Sequence, residues 1–183
     1  MSTEQIVVIP YSPKWPEQFQ QLKDRIWPAV KDIAKSIEHV GSTSVEGLSA
    51  KPIIDLDIVV ENEVNLKKVI SAVEDLGYVH RGDLGIKGRE AFKSIDSTIS
   101  HHLYACIEEN TALQNHLILR DHLRTSEKDR KLYSELKMKL AQSHSQNIDA
   151  YIEGKTNFIL AILRNYGVAN EHLSSIEVQN KSK

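Results

Sequence analysis

The chain has 183 residues, of which 40% are hydrophobic and 26% are charged, and its formal net charge is −2. It lacks the strong basic excess of dedicated nucleic-acid-binding modules, so nucleic acid is not indicated as a partner. No apolar run approaches the roughly 18 residues of a membrane span, so no membrane partner is expected.

Two features bear on the compartment in which the protein works. Residues 1–5 have neither the basic start nor the apolar core of a signal peptide. The single cysteine, Cys106, sits in an apolar pattern and has no second cysteine to pair with, which favours a buried, reduced thiol. We therefore expect a cytoplasmic protein.

A chain of this length is expected to form one domain, which we assign to residues 1–168. Residues 169–183 are rich in Ser, Asn, Gln and Lys and contain few large apolar side chains. We predict a flexible tail there. The pattern does not indicate an oligomeric state.

The first predicted elements are an apolar arm, a helix and a strand. Residues 6–9 form a short apolar run that ends at a proline and indicates an edge strand or a bound arm. Apolar residues then recur at three- and four-residue steps from Trp15 to Ile37, which predicts an amphipathic helix that Pro28 should kink or split. Residues 38–40 are predicted as the first core strand.

The next segment is a turn rich in small and hydroxyl side chains. Gly41 permits a tight bend and a close approach of the backbone. Ser42, Thr43 and Ser44 add hydroxyl groups and can cap a short helix, whose free backbone N–H groups would face an anion. We predict an anion-binding turn over residues 41–44.

An apolar strand with two acids follows this turn. Asp55 and Asp57 are two positions apart, so their side chains share one face at a Cα spacing of about 6.5–7 Å. Buried carboxylates need a partner, and Mg²⁺ is held by one or two carboxylates together with phosphate oxygens. A salt bridge to a nearby base such as Lys51 is the alternative partner.

The remaining pattern predicts a mixed sheet followed by helices. Residues 64–76 are predicted as a helix, residues 78–79 as a strand, and residues 81–88 as a glycine-rich loop. Residues 89–95 and 98–107 are predicted as two further strands, and the pattern is helical from residue 111 onward. This order predicts an α+β fold in which a mixed β-sheet packs against helices and carries a helical C-terminal layer.

The turn and the acidic strand resemble a known signature. Gly41-Ser42, a spacer over residues 43–54 and then Asp55-Leu56-Asp57-Ile58 are similar to the motif of the nucleotidyltransferase superfamily. More specifically, the amino-acid sequence of this segment resembles that of the GrpB family. The blocks that carry this resemblance are residues 10–16 with Phe19, 39–45, 47–48, 50–55, 101–104 and 120–124, and then Tyr151 with Lys155 and Phe158-Ile159. The resemblance covers roughly residues 6 to 168 and implies a nucleotidyltransferase-like fold.

The resemblance also exposes a departure from the superfamily pattern. Nucleotidyltransferases commonly take a third carboxylate from a later strand, but residues 98–107 contain no acid. Glu90 and Asp96 are the candidate substitutes for this carboxylate, and His102 is a third candidate for its role. A core or surface histidine is the alternative reading of His102, and no Cys/His spacing matches a zinc site.

Two arginines extend the candidate site. Arg120 and Arg124 are one helical turn apart and so face the same way. The planar guanidinium group suits phosphate, which makes them candidate triphosphate contacts. Ordinary ion pairs on a solvated helix face are the alternative.

These observations favour a metal-dependent nucleotidyltransferase that acts on a nucleoside triphosphate and an unknown acceptor, with Mg²⁺ as the cofactor. Asp55 and Asp57 are the predicted metal ligands and, with His102, the predicted catalytic residues. The predicted nucleotide or phosphate contacts are Gly41, Ser42, Thr43, Ser44, Lys51, Arg120 and Arg124.

Two other functions stay open, so enzymatic activity itself is an open question. The missing third acid favours a non-catalytic regulatory or scaffold module that binds a nucleotide or another phosphate-containing ligand. The occurrence of GrpB-like domains beside catalytic domains, including dephospho-coenzyme A kinase, favours the same reading. Hydrolysis or phosphotransfer with His102 as acid or base is a third possibility, for which no residue that orients the histidine can be identified.

Overall fold

The computed structural model of the protein describes residues 5–181, apart from the side chains of residues 179 and 181. The strands are β1 Ser36–Val40, β2 Ile54–Val60, β3 Tyr78–His80, β4 Arg89–Ser94 and β5 His101–Ile107. The helices are α1 Lys14–Val30, α2 Glu63–Glu74, α3 Thr111–Thr125, α4 Glu127–Ser143, α5 Ile148–Asn165 and α6 Asn170–Lys181. Residues 1–4, where no signal peptide was expected, and residues 182–183 of the predicted tail lie outside the described range.

The five strands form one mixed sheet in the order β1-β2-β5-β4-β3. Strands β2 and β5 are parallel, whereas β1 with β2, β4 with β5 and β3 with β4 are antiparallel. The helices α3 to α6 follow the sheet in the chain. The predicted α+β fold with a mixed sheet and a helical C-terminal layer is confirmed.

The apolar face of the sheet carries the main core. Alternate side chains of β2, from Ile54 to Val60, pack with Leu103 and Ala105 of β5 against the buried faces of α1 and α2. Because burial of apolar surface is the dominant favourable term in folding, this layer anchors the strand that bears the two acids.

The opposite face of the sheet is polar at its centre and faces the C-terminal helices. Residues paired directly across two strands project their side chains to the same face. The register pairs Asp57 with Glu38 on β1 and with Tyr104 on β5, and it pairs Asp55 with His102. The acids therefore lie between the sheet and the helical layer.

The first helix is shorter than its periodicity predicts. Helix α1 ends at Val30, two residues after Pro28, and Ile37 lies in β1. Pro28 lies inside the helix and does not split it; its missing N–H and its steric clash act on the turn before it, so they do not explain an end two residues later. The apolar spacing continues beyond the helix because Ile33 and Ile37 pack on the same core.

The apolar arm at residues 6–9 is bound to the domain without forming a strand. Ile9 and Ala50 exchange two backbone hydrogen bonds of 2.9 Å in an isolated antiparallel bridge. The backbone N–H of Ile6 donates to the carbonyl oxygen of Ser145 at 2.8 Å. Of the two sequence-based alternatives, the bound arm describes this segment.

The structure differs from the predicted flexible tail, since residues 170–181 form helix α6. Leu173 is only 3% exposed and packs against Leu160 and Leu163 of α5. The side-chain amide of Asn180 donates to the Thr156 hydroxyl at 3.0 Å. A short apolar stripe therefore docks this segment despite its polar composition.

Two further expectations concern the chain as a whole. Within residues 5–181, no helix is long and apolar enough to cross a membrane. Cys106 is a free, fully buried cysteine, as predicted, and burial raises the pKa of its thiol.

Candidate functional site

The turn after β1 is built on the carboxylate of Asp55. Gly41 has φ +69°, a conformation that side chains with a Cβ rarely adopt, and residues Ser42–Ser44 form one turn of 3₁₀-helix. A Cβ at Gly41 would overlap Asp55 Oδ2 and lie 2.9 Å from Asp55 Cγ. Glycine is therefore required both by the backbone and by the neighbouring acid.

Two of the three turn hydroxyls donate hydrogen bonds to backbone carbonyl oxygens. The Thr43 hydroxyl donates to the Ile53 carbonyl oxygen at 3.3 Å and lies 3.1 Å from His39 Nε2. The Ser44 hydroxyl donates to the Gly41 carbonyl oxygen at 2.6 Å. Both were predicted phosphate contacts, but the structure engages both hydroxyls in shaping the turn.

His39 supports the turn as a neutral side chain. Burial lowers the pKa of His39 to about 4, so the imidazole is uncharged at neutral pH. Its ring stacks on Phe19 with a centroid separation of 4.5 Å. The residue before the glycine turn is thus part of the scaffold.

The third hydroxyl, that of Ser42, opens into a small cationic pocket. Lys137 of α4 donates from Nζ to Ser42 Oγ at 2.8 Å. A pocket of about 90 Å³ is lined here by the side chains of Ser42, Lys51, Asp55, His102, Lys137 and Lys155, with four further residues. We call it the lysine pocket.

The negative charge near the lysines of this pocket is too small to keep their pKa values at the ordinary level. Lys137 is 2% exposed, and burial lowers its pKa to about 6, with a further decrease from the charge of Lys155 and a partial offset from Asp55. Burial also lowers the pKa of Lys155 to about 8, helped by the charge of Lys51. An anion in the pocket would supply a partner of opposite charge and raise the pKa of both lysines.

The two aspartates are each held by a histidine. Asp55 Oδ1 accepts a hydrogen bond from His102 Nδ1 at 2.8 Å, and Asp57 Oδ2 accepts one from His116 Nδ1 at 2.7 Å. Burial lowers the pKa of His116, but the charge and hydrogen bond of Asp57 outweigh this effect and raise it above its usual value. His116, on α3, is a site residue that the sequence analysis missed.

Asp57 keeps one oxygen without a protein partner. Its side chain is fully buried, and Oδ1 makes no hydrogen bond to the described residues. A buried carboxylate oxygen in this state is costly unless a cation or donor completes it. With Asp55 on the same face, the donor set fits Mg²⁺, which binds through one or two carboxylates and takes its other ligands from water and phosphate. Within residues 5–181, no group of three or more His, Cys, Asp and Glu side chains could hold a metal ion by itself.

The structure shows why neither proposed substitute supplies a third carboxylate. Glu90 pairs in register with Ala105, so it lies on the opposite face from the aspartates, and its carboxylate contacts His80 Nε2 at 2.6 Å. Asp96 lies in the turn between β4 and β5. The position beside Asp57 on β5 is occupied by Tyr104.

The acid that does share this face is Glu38, which is neutralised by an arginine. Arg120 Nη1 donates to Glu38 Oε2 at 2.8 Å, and Arg120 Nε donates to Asp121 Oδ1 at 2.7 Å. Arg124 donates from Nε and Nη2 to the Ser44 carbonyl oxygen at 3.1 and 2.9 Å. Both arginines therefore bind β1 and the turn. The basic side chains that line the lysine pocket are lysines, and neither arginine is among them.

Comparison with known proteins settles the family. The model of the family described as GrpB protein matches residues 5–165. The chain belongs to the GrpB family. It is 34% identical over 154 residues to the UPF0157 protein YqkA of Bacillus subtilis, covering 84% of this chain and 45% of YqkA. The chain thus spans less than half the length of that relative.

Solved structures agree with this assignment to the GrpB family. The crystal structure of the conserved protein GrpB from Enterococcus faecalis matches with a TM-score of 0.77 at 34% identity, covering 88% of this chain and 99% of that one. The poly(U) polymerase Cid1 with bound MgGTP matches with a TM-score of 0.52 at 15% identity, covering 75% of this chain and 46% of Cid1. The second likeness shows the fold alone, which is nucleotidyltransferase-like.

Proposed function

We propose that this GrpB family member is a Mg²⁺-dependent nucleotidyltransferase that moves a nucleoside monophosphate from a nucleoside triphosphate to an acceptor hydroxyl or amine. One observation carries the proposal: the lysine pocket adjoins Asp55, and Asp57 on the same strand face has a buried oxygen without a partner. The lysines of the pocket need an anionic partner and Asp57 needs a cationic one, and these two positions are adjacent.

In this proposal the protein's own side chains bind and orient the phosphates. Ser42 and the lysines at positions 51, 137 and 155 would hold the phosphates that leave, while Gly41 lets the backbone approach them closely. His102 and His116 fix the two carboxylates through their Nδ1 hydrogen bonds.

Asp55 and Asp57 would hold Mg²⁺, which would offset the negative charge that develops on the transferred group and on the pyrophosphate. The acceptor oxygen or nitrogen forms a bond to the α-phosphorus as the bond to the bridging oxygen breaks. Pyrophosphate leaves, and the acceptor proton passes to solvent. Cid1, whose structure carries MgGTP, shares the fold on which this proposal rests.

Binding without turnover is the second candidate function. It is favoured by Tyr104 at the position beside Asp57 and by the ion pair that occupies Glu38. Such a module would bind the metal and nucleotide in the same place and act through a partner or an attached domain.

The variant Asp57→Asn separates a metal site from a structural acid. With Mg²⁺ and nucleotide at about 100 times the dissociation constant, the wild type should gain about 2.7 kcal/mol of stability. We expect this gain to be lost in Asp57→Asn, because the amide removes the charge that balances the cation. The matched control is Glu90→Gln, which changes a carboxylate on the opposite face and should keep the gain. Thermal denaturation with and without Mg²⁺ measures both.

Pyrophosphate release separates the enzyme from the binder. Release from any of the four common ribonucleoside triphosphates with an acceptor panel, lost in Asp57→Asn, supports transfer. Stabilisation without release supports the binding module. A melting temperature that stays the same with every nucleotide, with or without Mg²⁺, would contradict both functions.

A further inference from the structure

A second, larger cavity lies near Asp57, whereas the lysine pocket adjoins Asp55. It has a volume of about 650 Å³ and is bounded by the loop after β3, by β4 and β5, and by α3, α5 and α6. His116, which binds Asp57, and Tyr104, which pairs with Asp57 in the sheet, both line it. We call it the apolar cavity, because six of its lining residues are Leu84, Ile86, Leu119, Ile159, Leu163 and Ile176.

Two of the buried polar atoms that lack a partner belong to residues that line this cavity. Among the described residues, three buried side-chain atoms have no hydrogen-bond partner: Asp57 Oδ1, Arg89 Nε and Asn115 Oδ1. Arg89 and Asn115 line the cavity, whereas Asp57 does not line it and its Oδ1 is the oxygen proposed above to bind Mg²⁺. Because buried polar groups are normally satisfied, the unpaired atoms of Arg89 and Asn115 indicate that a ligand in the cavity completes them.

We infer that the apolar cavity is the acceptor site, and that the acceptor is a small molecule with an apolar body, one hydrogen-bond acceptor for Arg89 and one donor for Asn115. This inference rests on the proposed function. In an in-line displacement the attacking atom lies opposite the leaving group. With the leaving phosphates in the lysine pocket beside Asp55, the attacking atom approaches from the side of Asp57 and His116.

The charges of the cavity narrow the chemistry of the acceptor. Among the described residues, no carboxylate lines it directly, whereas Arg89 does, with its guanidinium group 4.7 Å from the centre of the Tyr104 ring. A cationic ligand is disfavoured in such a place, and a neutral or anionic one is favoured. The flat Arg89–Tyr104 pair and the aliphatic walls suit a planar or apolar body.

The walls of the cavity disfavour the end of a nucleic acid strand. Helix α6 contributes Ile176 and Asn180 to the lining and is held on α5 by the Asn180–Thr156 hydrogen bond. A polynucleotide also needs a cationic path along its phosphates, and Arg89 is the single Lys or Arg among the described lining residues. The fold is shared with poly(U) polymerases, but this cavity has the character of a small-molecule site.

The test uses fragment probes on the full chain, followed by NMR chemical shifts. Benzamide and 2-pyridone each carry a flat ring with an adjacent acceptor and donor, and N,N-dimethylbenzamide lacks the donor. We expect millimolar binding of the first two probes, with shifts at cavity residues, and binding about tenfold weaker for the third. Asn115→Leu should erase this preference, and Ile176→Trp should block all three probes by filling the cavity.

Two control variants lie away from the cavity. Asn157→Leu and Leu132→Trp make the same kinds of change at exposed positions on α5 and α4, and both should bind the probes as the wild type does. Tripolyphosphate should bind Ile176→Trp with unchanged affinity, because that variant leaves the lysine pocket intact.

Competition separates this inference from the proposed function. Benzamide and Mg·ATP should bind together. Displacement of benzamide by Mg·ATP would assign the cavity to the donor nucleotide, and displacement by a uridine oligonucleotide would assign it to an RNA end; either result overturns the inference alone. Failure of both probes to bind the wild type would also overturn it. Benzamide binding without any Mg·ATP binding would overturn the proposed function and the acceptor role, and leave a small-molecule site.

Discussion

Replacement of Lys137 by methionine should stabilise the protein and at the same time remove most of its affinity for polyphosphate. Lys137 is buried and its pKa is lowered to about 6. Because burial disfavours the charged ammonium form, this lysine reduces the free energy of unfolding at neutral pH. Methionine fills a similar volume without that penalty. We expect a net gain of about 2 kcal/mol near neutral pH, after the loss of the hydrogen bond to Ser42.

The pH dependence of this gain has a definite sign. Between the folded-state pKa of about 6 and the ordinary value of 10.5, the unfolded chain binds more protons at Lys137, so the wild type becomes more stable as the pH rises. The advantage of Lys137→Met should therefore be largest below about pH 6 and should vanish above about pH 10.5. Urea denaturation at several pH values measures it, and Lys139→Met, at an exposed site on the same helix, is the control.

Binding of polyphosphate to the wild type should take up protons. The anion raises the pKa of Lys137 and Lys155, whose charges are opposed by burial and by Lys51 and favoured by Asp55. Affinity for tripolyphosphate should therefore fall as the pH rises from about 6 past 8. Calorimetry in buffers of different ionisation enthalpy measures the uptake. Equal affinity in the wild type and Lys137→Met would exclude the lysine pocket as the phosphate site.

Replacement of Gly41 by alanine should destabilise the protein more than the same change at any exposed glycine. The backbone of Gly41, at φ +69° and ψ −174°, lies in a region that is essentially restricted to glycine and costs about 1–3 kcal/mol for a residue with a Cβ, and overlap with the Asp55 carboxylate adds to this. We expect a total loss of about 3 kcal/mol together with the loss of Mg²⁺-dependent nucleotide binding, because Asp55 must move.

Gly167→Ala is the matched control for this prediction, since Gly167 has φ +76° and no heavy atom within 4 Å of an added Cβ. This variant should lose only the free energy that its own positive φ costs, with no steric contribution from a neighbouring side chain. The double variant Gly41→Ala with Asp55→Ala should recover part of the loss, because the carboxylate is then absent. Equal losses for the two glycine variants would show that the turn does not press on Asp55.

The sequence was informative wherever the determining contacts are local. Alternation places Asp55 and Asp57 on one face of β2, and the small residues before it predict the tight turn at Gly41. Helix α1 was extended too far because an apolar period of three to four residues persists through a turn and into β1. The sequence did not predict helix α6 as a packed element, because its apolar stripe consists of Leu173 and Ile176 within a segment that is otherwise mostly polar.

The partners of the site residues come from distant parts of the chain and were harder to predict. His116 is 59 residues from Asp57, and Lys137 is 95 residues from Ser42. A signal for each was present. His116 lies one helical turn before Arg120, so it shares the face on which both arginines were placed. Lys137 lies four residues after Tyr133 and before Ala141, at a position of the buried stripe of α4.

Arg120 and Arg124 show the limit of residue type as a guide to function. Their shared direction was predicted correctly, and both project toward the turn and β1. A guanidinium group suits a carboxylate or a carbonyl oxygen as well as a phosphate, and only the folded geometry shows which acceptor it meets. Here Glu38 and the Ser44 carbonyl oxygen take the donors.

The most direct measurement is a crystal structure of the full chain with Mn²⁺ and a nucleoside triphosphate analogue that cannot be cleaved between the α- and β-phosphates. We expect an anomalous peak bound by one oxygen of Asp55 and by Asp57 Oδ1, with the β- and γ-phosphates in contact with Ser42, Lys137 and Lys155. A structure in which the nucleotide binds elsewhere, with both aspartates paired only to His102 and His116, would contradict the proposed metal and nucleotide site.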